Sequence, residues 1–211
     1  MTNKKSLDYW ITTANNASDP LQVKVNPIND HTQLDADFIM KYAGMQTEIL
    51  DLGSGSGLIL NKIYDKVGYI CAVEPFKEFT KFIIDSKNIE INNQFLMDFN
   101  NDKQFDLITI FGVIQYFSEE EAVAIYQKYL SYLKKGGKII VKNQFGIKED
   151  IFIDGYSEEQ QRDYFSNYRH LDKEISMLRK VGYKNIEVFD IYPPECNRWE
   201  NTHFYAIVAE K

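Results

Sequence analysis

The stretch Ile-Leu-Asp-Leu-Gly-Ser-Gly-Ser-Gly, from Ile49 to Gly57, has the residue types and spacing to hold a charged small molecule. Asp51 falls within a short apolar run, and Gly53, Gly55 and Gly57 follow at every second position before an apolar-patterned helix begins. Glycines in such a turn supply dihedrals closed to other residues and let a ligand approach the backbone amides. Dinucleotide folds place Gly-x-Gly-x-x-Gly after the same kind of strand. Counted from Gly53, the sixth position here is Leu58, so the third glycine comes one residue early, at Gly57. Asp51 argues in the same direction, because a carboxylate there repels a pyrophosphate and attracts a cationic group such as a sulfonium amino acid. Glu74 stands about twenty residues past the turn, where a neighbouring parallel strand delivers a carboxylate to the two hydroxyls of a ribose. A nicotinamide cofactor would use an acid in that place equally well.

The elements that must position these groups alternate along the chain. Strands are expected at 49–52, 69–73, 94–97, 105–110, 138–142, 185–189 and 203–209. Between them, Leu60, Ile63 and Tyr64 mark a helix, Pro75 opens another in which Phe79, Phe82 and Ile83 face inward, and Ser118 with Glu121 makes a capping box. Gly136-Gly137 and Gly182 read as helix stops, the latter closing a helix over 171–181. The last strand must return antiparallel beside the sixth, which puts the connection 190–202 and His203 on the ligand side of the sheet. The expected architecture is α/β, a doubly wound seven-stranded sheet, mostly parallel with an antiparallel last strand. Residues 1–31 are expected to form an N-terminal cap helix, with Leu7, Trp10, Ile11 and Ala14 on one face, and a connector. That helix either closes over a ligand through Tyr9 and Trp10 or packs on the sheet edge. Residues 32–211 form the main domain, beginning with a helix over 32–42. Its segment 143–170 is too long for an ordinary connection and mixes aromatic residues with Arg162 and Arg169, so a partly helical, mobile lid is expected there.

Asp51, Gly53, Gly55 and Gly57 match motif I, (Asp/Glu)-x-Gly-x-Gly-x-Gly, and the order of elements over 32–211 resembles the class I S-adenosylmethionine-dependent methyltransferases. The resemblance implies S-adenosylmethionine as cofactor, with Asp51 toward its amino-acid end and Glu74 on the ribose. Ser54, Pro75 and Phe111 adjoin these positions and complete the expected cofactor set. It also implies that an acid after the third strand takes the adenine amino group beside an apolar contact, a place matched by Asp98 and Phe99. The chain departs from amino-group DNA methyltransferases, since 111–116 lacks their (Asn/Asp)-Pro-Pro-aromatic motif; Tyr192-Pro193-Pro194 follows the sixth strand instead. No carboxylate cluster of the metal-dependent relatives is recognisable.

The expected function is methyl transfer to the oxygen or nitrogen of a polar small molecule, such as a sugar, a nucleotide-linked sugar or a phosphorylated metabolite. A hydroxyl acceptor must lose a proton, and histidine suits that work near neutrality. His170, at the end of the lid, and His203, opening the last strand, are the candidate bases; Tyr116 or Gln115 after the fourth strand could instead orient the acceptor. His31 lies in the cap region with no expected strand end beside it. The rival readings are a nicotinamide-dependent oxidoreductase and a cofactor-binding partner subunit without catalytic groups.

A chain of 211 residues with 44% hydrophobic residues suits one α/β domain. Its net charge of −7 argues against a nucleic-acid partner, which needs a basic face. No apolar run approaches a membrane span or a signal peptide, so a cytoplasmic protein is expected. Cys71 and Cys196 with His31, His170 and His203 suggest neither a disulfide framework nor a metal site.

Overall fold

The computed structural model describes residues 4–24, 30–158, 162–197 and 199–211; part of the expected connector, 25–29, lies outside them. Helix α1 (Lys4–Asn16) is followed by a 3-10 turn (Pro20–Val23) and α2 (Thr32–Ile39). Then come β1 (Glu48–Leu52), α3 (Leu60–Ile63), β2 (Tyr69–Val73), α4 (Lys77–Thr80), β3 (Ile89–Asn92), β4 (Phe105–Phe111) and α5 (Glu119–Tyr132). The chain continues through β5 (Leu133–Gly146), β6 (Ile151–Ser157), β7 (Arg162–Tyr168), α6 (Leu171–Val181), β8 (Lys184–Phe189) and β9 (Thr202–Glu210).

Seven strands form one sheet in the order β3-β2-β1-β4-β5-β9-β8, and β9 alone runs against its neighbours. The order reverses between β1 and β4, the place where open α/β sheets hold ligands at the carboxyl ends of their strands. Register fixes what meets there: Asp51 aligns with Ala72 on one side and Thr109 on the other, and Thr109 aligns with Ile140. Both faces are buried, which is why the central strands read as near-continuous apolar runs. Leu50, Leu52, Ile108 and Ile110 pack toward α5 and α6; Ile49, Leu107, Ile140 and Ala206 pack toward α2 and α3.

Ser118 and Glu121 form the capping box in full at the start of α5. The helix ends at Tyr132, four residues before Gly136, because Leu133 already pairs with Phe105 as the first residue of β5. The third strand also differs from expectation. It is Ile89–Asn92, paired with β2, while 94–97 lie in the turn after it. This edge strand is half exposed and carries Glu90 between two isoleucines, so it lacks the apolar run used to place it.

The segment after β5 is a β-hairpin, β6 with β7, rather than a partly helical lid, and 143–146 belong to β5 itself. α1 packs on this hairpin and on α4, not on the sheet edge. Tyr9 meets Tyr164 edge-on at 5.4 Å between ring centroids, and the Arg162 guanidinium lies 3.7 Å above the Tyr9 ring. Lys5 pairs with Asp154 at 2.5 Å. Among the described residues, no helix is long and apolar enough to cross a membrane.

Candidate functional site

All three turn glycines adopt left-handed backbone, at φ of +77° for Gly53, +54° for Gly55 and +73° for Gly57. A Cβ on Gly53 would stand 2.4 Å from a Val113 methyl, and one on Gly55 2.8 Å from a Val23 methyl. The turn is thus closed against the β4 loop on one side and against the N-terminal 3-10 turn on the other. Ser56 Oγ adds a hydrogen bond to the Pro20 carbonyl at 2.7 Å. Gly53→Ala is expected to abolish ligand binding at the turn and to cost about 1–2 kcal/mol from the left-handed φ alone. Thermal unfolding with and without S-adenosylhomocysteine measures both effects.

Two carboxylates flank the turn. Asp51 accepts a hydrogen bond from Thr109 Oγ1 at 2.5 Å, and burial raises its pKa. Glu74 is 6% exposed and accepts from the Gly55 amide at 3.0 Å through Oε2 and from the Phe76 amide at 3.2 Å through Oε1. Burial pushes its pKa up to about 7, against the pull of those two amides and with a smaller push from Asp51. Each Glu74 oxygen keeps a further lone pair for a ligand hydroxyl.

These groups open into a cavity of about 520 Å³ that runs along the carboxyl edge of the sheet. Its volume lies within the ~300–1,000 Å³ of small-molecule sites. Asp51, Gly53, Ser54, Gly55, Glu74 and Pro75 line one half. Phe111, Gly112 and Gln115 line the middle. The far half has two walls. One is phenolic: Tyr116, Tyr164 and Tyr168 join by hydroxyl contacts of 3.4 Å, and Trp10 closes edge-on over Tyr116 at 5.5 Å between ring centroids. Burial raises the pKa of Tyr116 and of Tyr164 far above the ordinary phenol value, so both act as neutral donors rather than bases. The other wall is ionic. Lys142 donates to Tyr192 Oη at 2.8 Å and to Asp35 at 3.2 Å, and Tyr192 donates to Asp35 at 2.8 Å.

The structure separates the sequence-derived candidates. Asp51, Gly53, Ser54, Gly55, Glu74, Pro75, Phe111 and Tyr116 share the cavity. Gly57 stands just behind it, where a Cβ would meet Ile83 at 2.6 Å. Asp98 and Phe99 do not line it: Asp98 is exposed and Phe99 is buried in the core beneath α5, because β3 ends earlier than expected. Phe95 and Leu96 stand at the cavity in their place. His170 and His203 also lie outside. His170 caps α6, its Nε2 2.9 Å from the Ile147 carbonyl, and His203 turns away toward Asp190 at 2.8 Å and stacks on Tyr205. Strand alternation explains the second case, since Phe204 takes the inward position. His31, set aside on sequence grounds, is the histidine that lines the cavity, with Nε2 3.1 Å from Cys196 Sγ.

A buried ion pair fixes the loop that carries Gln115 and Tyr116. Arg169, at the end of the hairpin, donates to Glu174 at 2.6 Å and to the carbonyls of Phe117 and Ile114 at 2.9 and 3.1 Å. Tyr126 of α5 donates to the same carboxylate. Hairpin, α6 and β4 loop are therefore held as one piece.

The cradle fits S-adenosylmethionine: glycines admit the backbone approach, Asp51 faces a cation, and the open lone pairs of Glu74 suit two hydroxyls. Residues 49–137 match the model of a methyltransferase domain. The chain is similar to the Burkholderia thailandensis 1,6-didemethyltoxoflavin-N1-methyltransferase with bound 1,6-didemethyltoxoflavin and S-adenosylhomocysteine. That likeness has a TM-score of 0.75 and 11% identity, covering 98% of this chain and 87% of that one. A DhpI complex with S-adenosylhomocysteine gives 0.72 at 16% identity, covering 98% and 95%. The Haemonchus contortus phosphoethanolamine N-methyltransferase 1, in complex with phosphoethanolamine and S-adenosylhomocysteine, gives 0.73 at 15% identity, covering 97% of this chain and 48% of that one. At such identities these likenesses speak to the fold. No curated protein matches the chain by sequence.

Proposed function

We propose that the chain is a class I S-adenosylmethionine-dependent methyltransferase and that its methyl acceptor is a polar small molecule bound in the far half of the same cavity. The observation that carries this reading is the shared cavity itself, with Asp51 and Glu74 at one end and the phenolic and ionic walls at the other. Bound at the turn, S-adenosylmethionine supplies a methyl group already activated by its cationic sulfur. The chain's own part is to hold both molecules in line and to exclude water. Glu74 and the glycine turn fix the ribose, and Asp51 faces the amino-acid end. Tyr116 orients the acceptor by its neutral hydroxyl, while α1 and the hairpin cover the site through Trp10 and Tyr164. Sugars, nucleotide-linked sugars and phosphorylated metabolites fit the polar walls.

Calorimetric titration with S-adenosylhomocysteine, followed by transfer of a labelled methyl group into a metabolite pool, tests the proposal. Failure to bind S-adenosylhomocysteine overturns it, and binding without transfer to any metabolite favours a non-catalytic partner subunit. His170 and His203 lie outside the cavity, so either changed to Ala is expected to keep kcat within about 3-fold of the native value. Tyr116→Phe is expected to lower kcat by ~10-fold or more with cofactor affinity held. His31→Ala then decides the base: a loss of ~100-fold in kcat with cofactor affinity held marks proton removal by this ring.

A further inference from the structure

Lys142 occupies an unusual place for a lysine, since its side chain is only 12% exposed within a central strand, four residues before its end. Long cationic side chains ordinarily reach water. This one is turned back into the cavity between the rings of Phe111 and Tyr192, each centred 5.2 Å from the ammonium. Asp35 and Tyr192 take two of its three N–H donors, and the third has no partner among the described residues.

Register tells where that open donor stands. Lys142 lies two residues beyond Ile140, which aligns through Thr109 with Asp51, and it pairs with Phe111 and Ala206. It is thus two strands away from Asp51, about 10 Å across the sheet, on the same face and one pleat nearer the cavity mouth. That is the acceptor's half, and the inference rests on the reading given under the previous heading. We propose that Lys142 is the anion contact of the methyl acceptor, donating its third N–H to a carboxylate or phosphate oxygen. Asp35 and Tyr192 are positioning residues: they compensate the buried ammonium and aim it. The acceptor class is accordingly a small anionic metabolite rather than a neutral sugar.

The test uses the full chain carrying S-adenosylhomocysteine, titrated with inorganic phosphate, with acetate and with glycerol as the neutral control. Phosphate or acetate is expected to bind and glycerol not. Lys142→Met is expected to weaken the anion by ~10–100-fold while S-adenosylhomocysteine affinity stays within about 2-fold. Equal anion affinity in native and variant protein, or no anion binding by the native complex, overturns the proposal. Should Lys142→Met fail to fold, the Nζ resonance of Lys142 in the native protein gives the same answer, by moving or not moving as phosphate is added. Should S-adenosylhomocysteine itself not bind, the methyl-transfer reading falls, and the same anion titration on the free chain still decides the role of Lys142.

Discussion

Arg169→Met is expected to destabilise the fold by about 3–5 kcal/mol, the usual cost of removing one partner from a buried ion pair. Arg169 is 1% exposed and Glu174 fully buried, so the variant leaves a carboxylate in the core with only Tyr126 to answer it. The Phe117 carbonyl loses its Arg169 donor in the same step, and the Ile114 carbonyl keeps only the Phe117 amide. Each buried acceptor left unpaired adds a penalty of its own. Because those carbonyls flank Gln115 and Tyr116, the variant should also lose turnover at temperatures where it remains folded. Denaturant unfolding of Arg169→Met, Glu174→Gln and the double variant checks the argument. Strong coupling is expected, with the double variant more stable than the sum of the singles; additive losses would show that the pair is not the unit described here.

The affinity for S-adenosylhomocysteine is expected to fall by up to ~10-fold for each pH unit below 7 and to level off above it. On the proposed function Glu74 accepts hydrogen bonds from both ribose hydroxyls and must be ionised to do so, yet burial raises its pKa in the free protein to about 7. Below that pH, binding has to expel a proton. The same shift sets a stability trend in the free protein. A carboxyl whose folded pKa lies above its unfolded value contributes stability that is complete below the unfolded pKa and lost as pH rises through the folded one. The window is therefore from about 4.5 to about 7, and the loss across it is of the order of 3 kcal/mol. Bound cofactor removes most of that loss by giving the ionised carboxylate new donors. Calorimetry at pH 6 in buffers of different ionisation enthalpy should show close to one proton released per ligand bound, and Glu74→Gln should abolish both the release and the pH dependence. A pH-independent affinity in the native protein would show that Glu74 does not titrate on binding.

The glycine turn and the acids beside it were readable from sequence because their determinants are local. Three glycines within five residues each need a left-handed φ, and the strand ahead of them is apolar throughout its buried length. Glu74 was placed by distance along the chain, which a right-handed strand-helix-strand unit fixes closely. What the sequence hid was assembled from afar. His31 reaches the cavity only because α2 packs against β5 and the loop before β9, and Lys142 looks like the polar end of an apolar strand until Asp35 and Tyr192, 157 residues apart, meet on it. The hairpin was legible in principle. Ile151 to Ser157 and Arg162 to Tyr168 are rich in β-branched and aromatic residues without helical period, a strand signal that charge and length obscured. Asp98 was misplaced for a narrower reason: one exposed edge strand was read five residues late, and everything attached to its end moved with it.

The two halves of the cavity differ in where along the chain their walls come from. Asp51, Glu74 and Phe111, with the glycines, lie inside the stretch 49–137 that the methyltransferase-domain model matches. Of the residues named in the far walls Tyr116 lies there too, whereas Trp10, His31, Lys142, Tyr164 and Tyr192 lie outside it. On the proposed function, substitutions in the outer segments can alter the acceptor's walls while Asp51, Glu74 and the three glycines stay as they are, provided that Pro20 and Val23, which brace the turn, are kept. On that reading the flanks, more than the glycine turn, are where the acceptor preference of this chain is set.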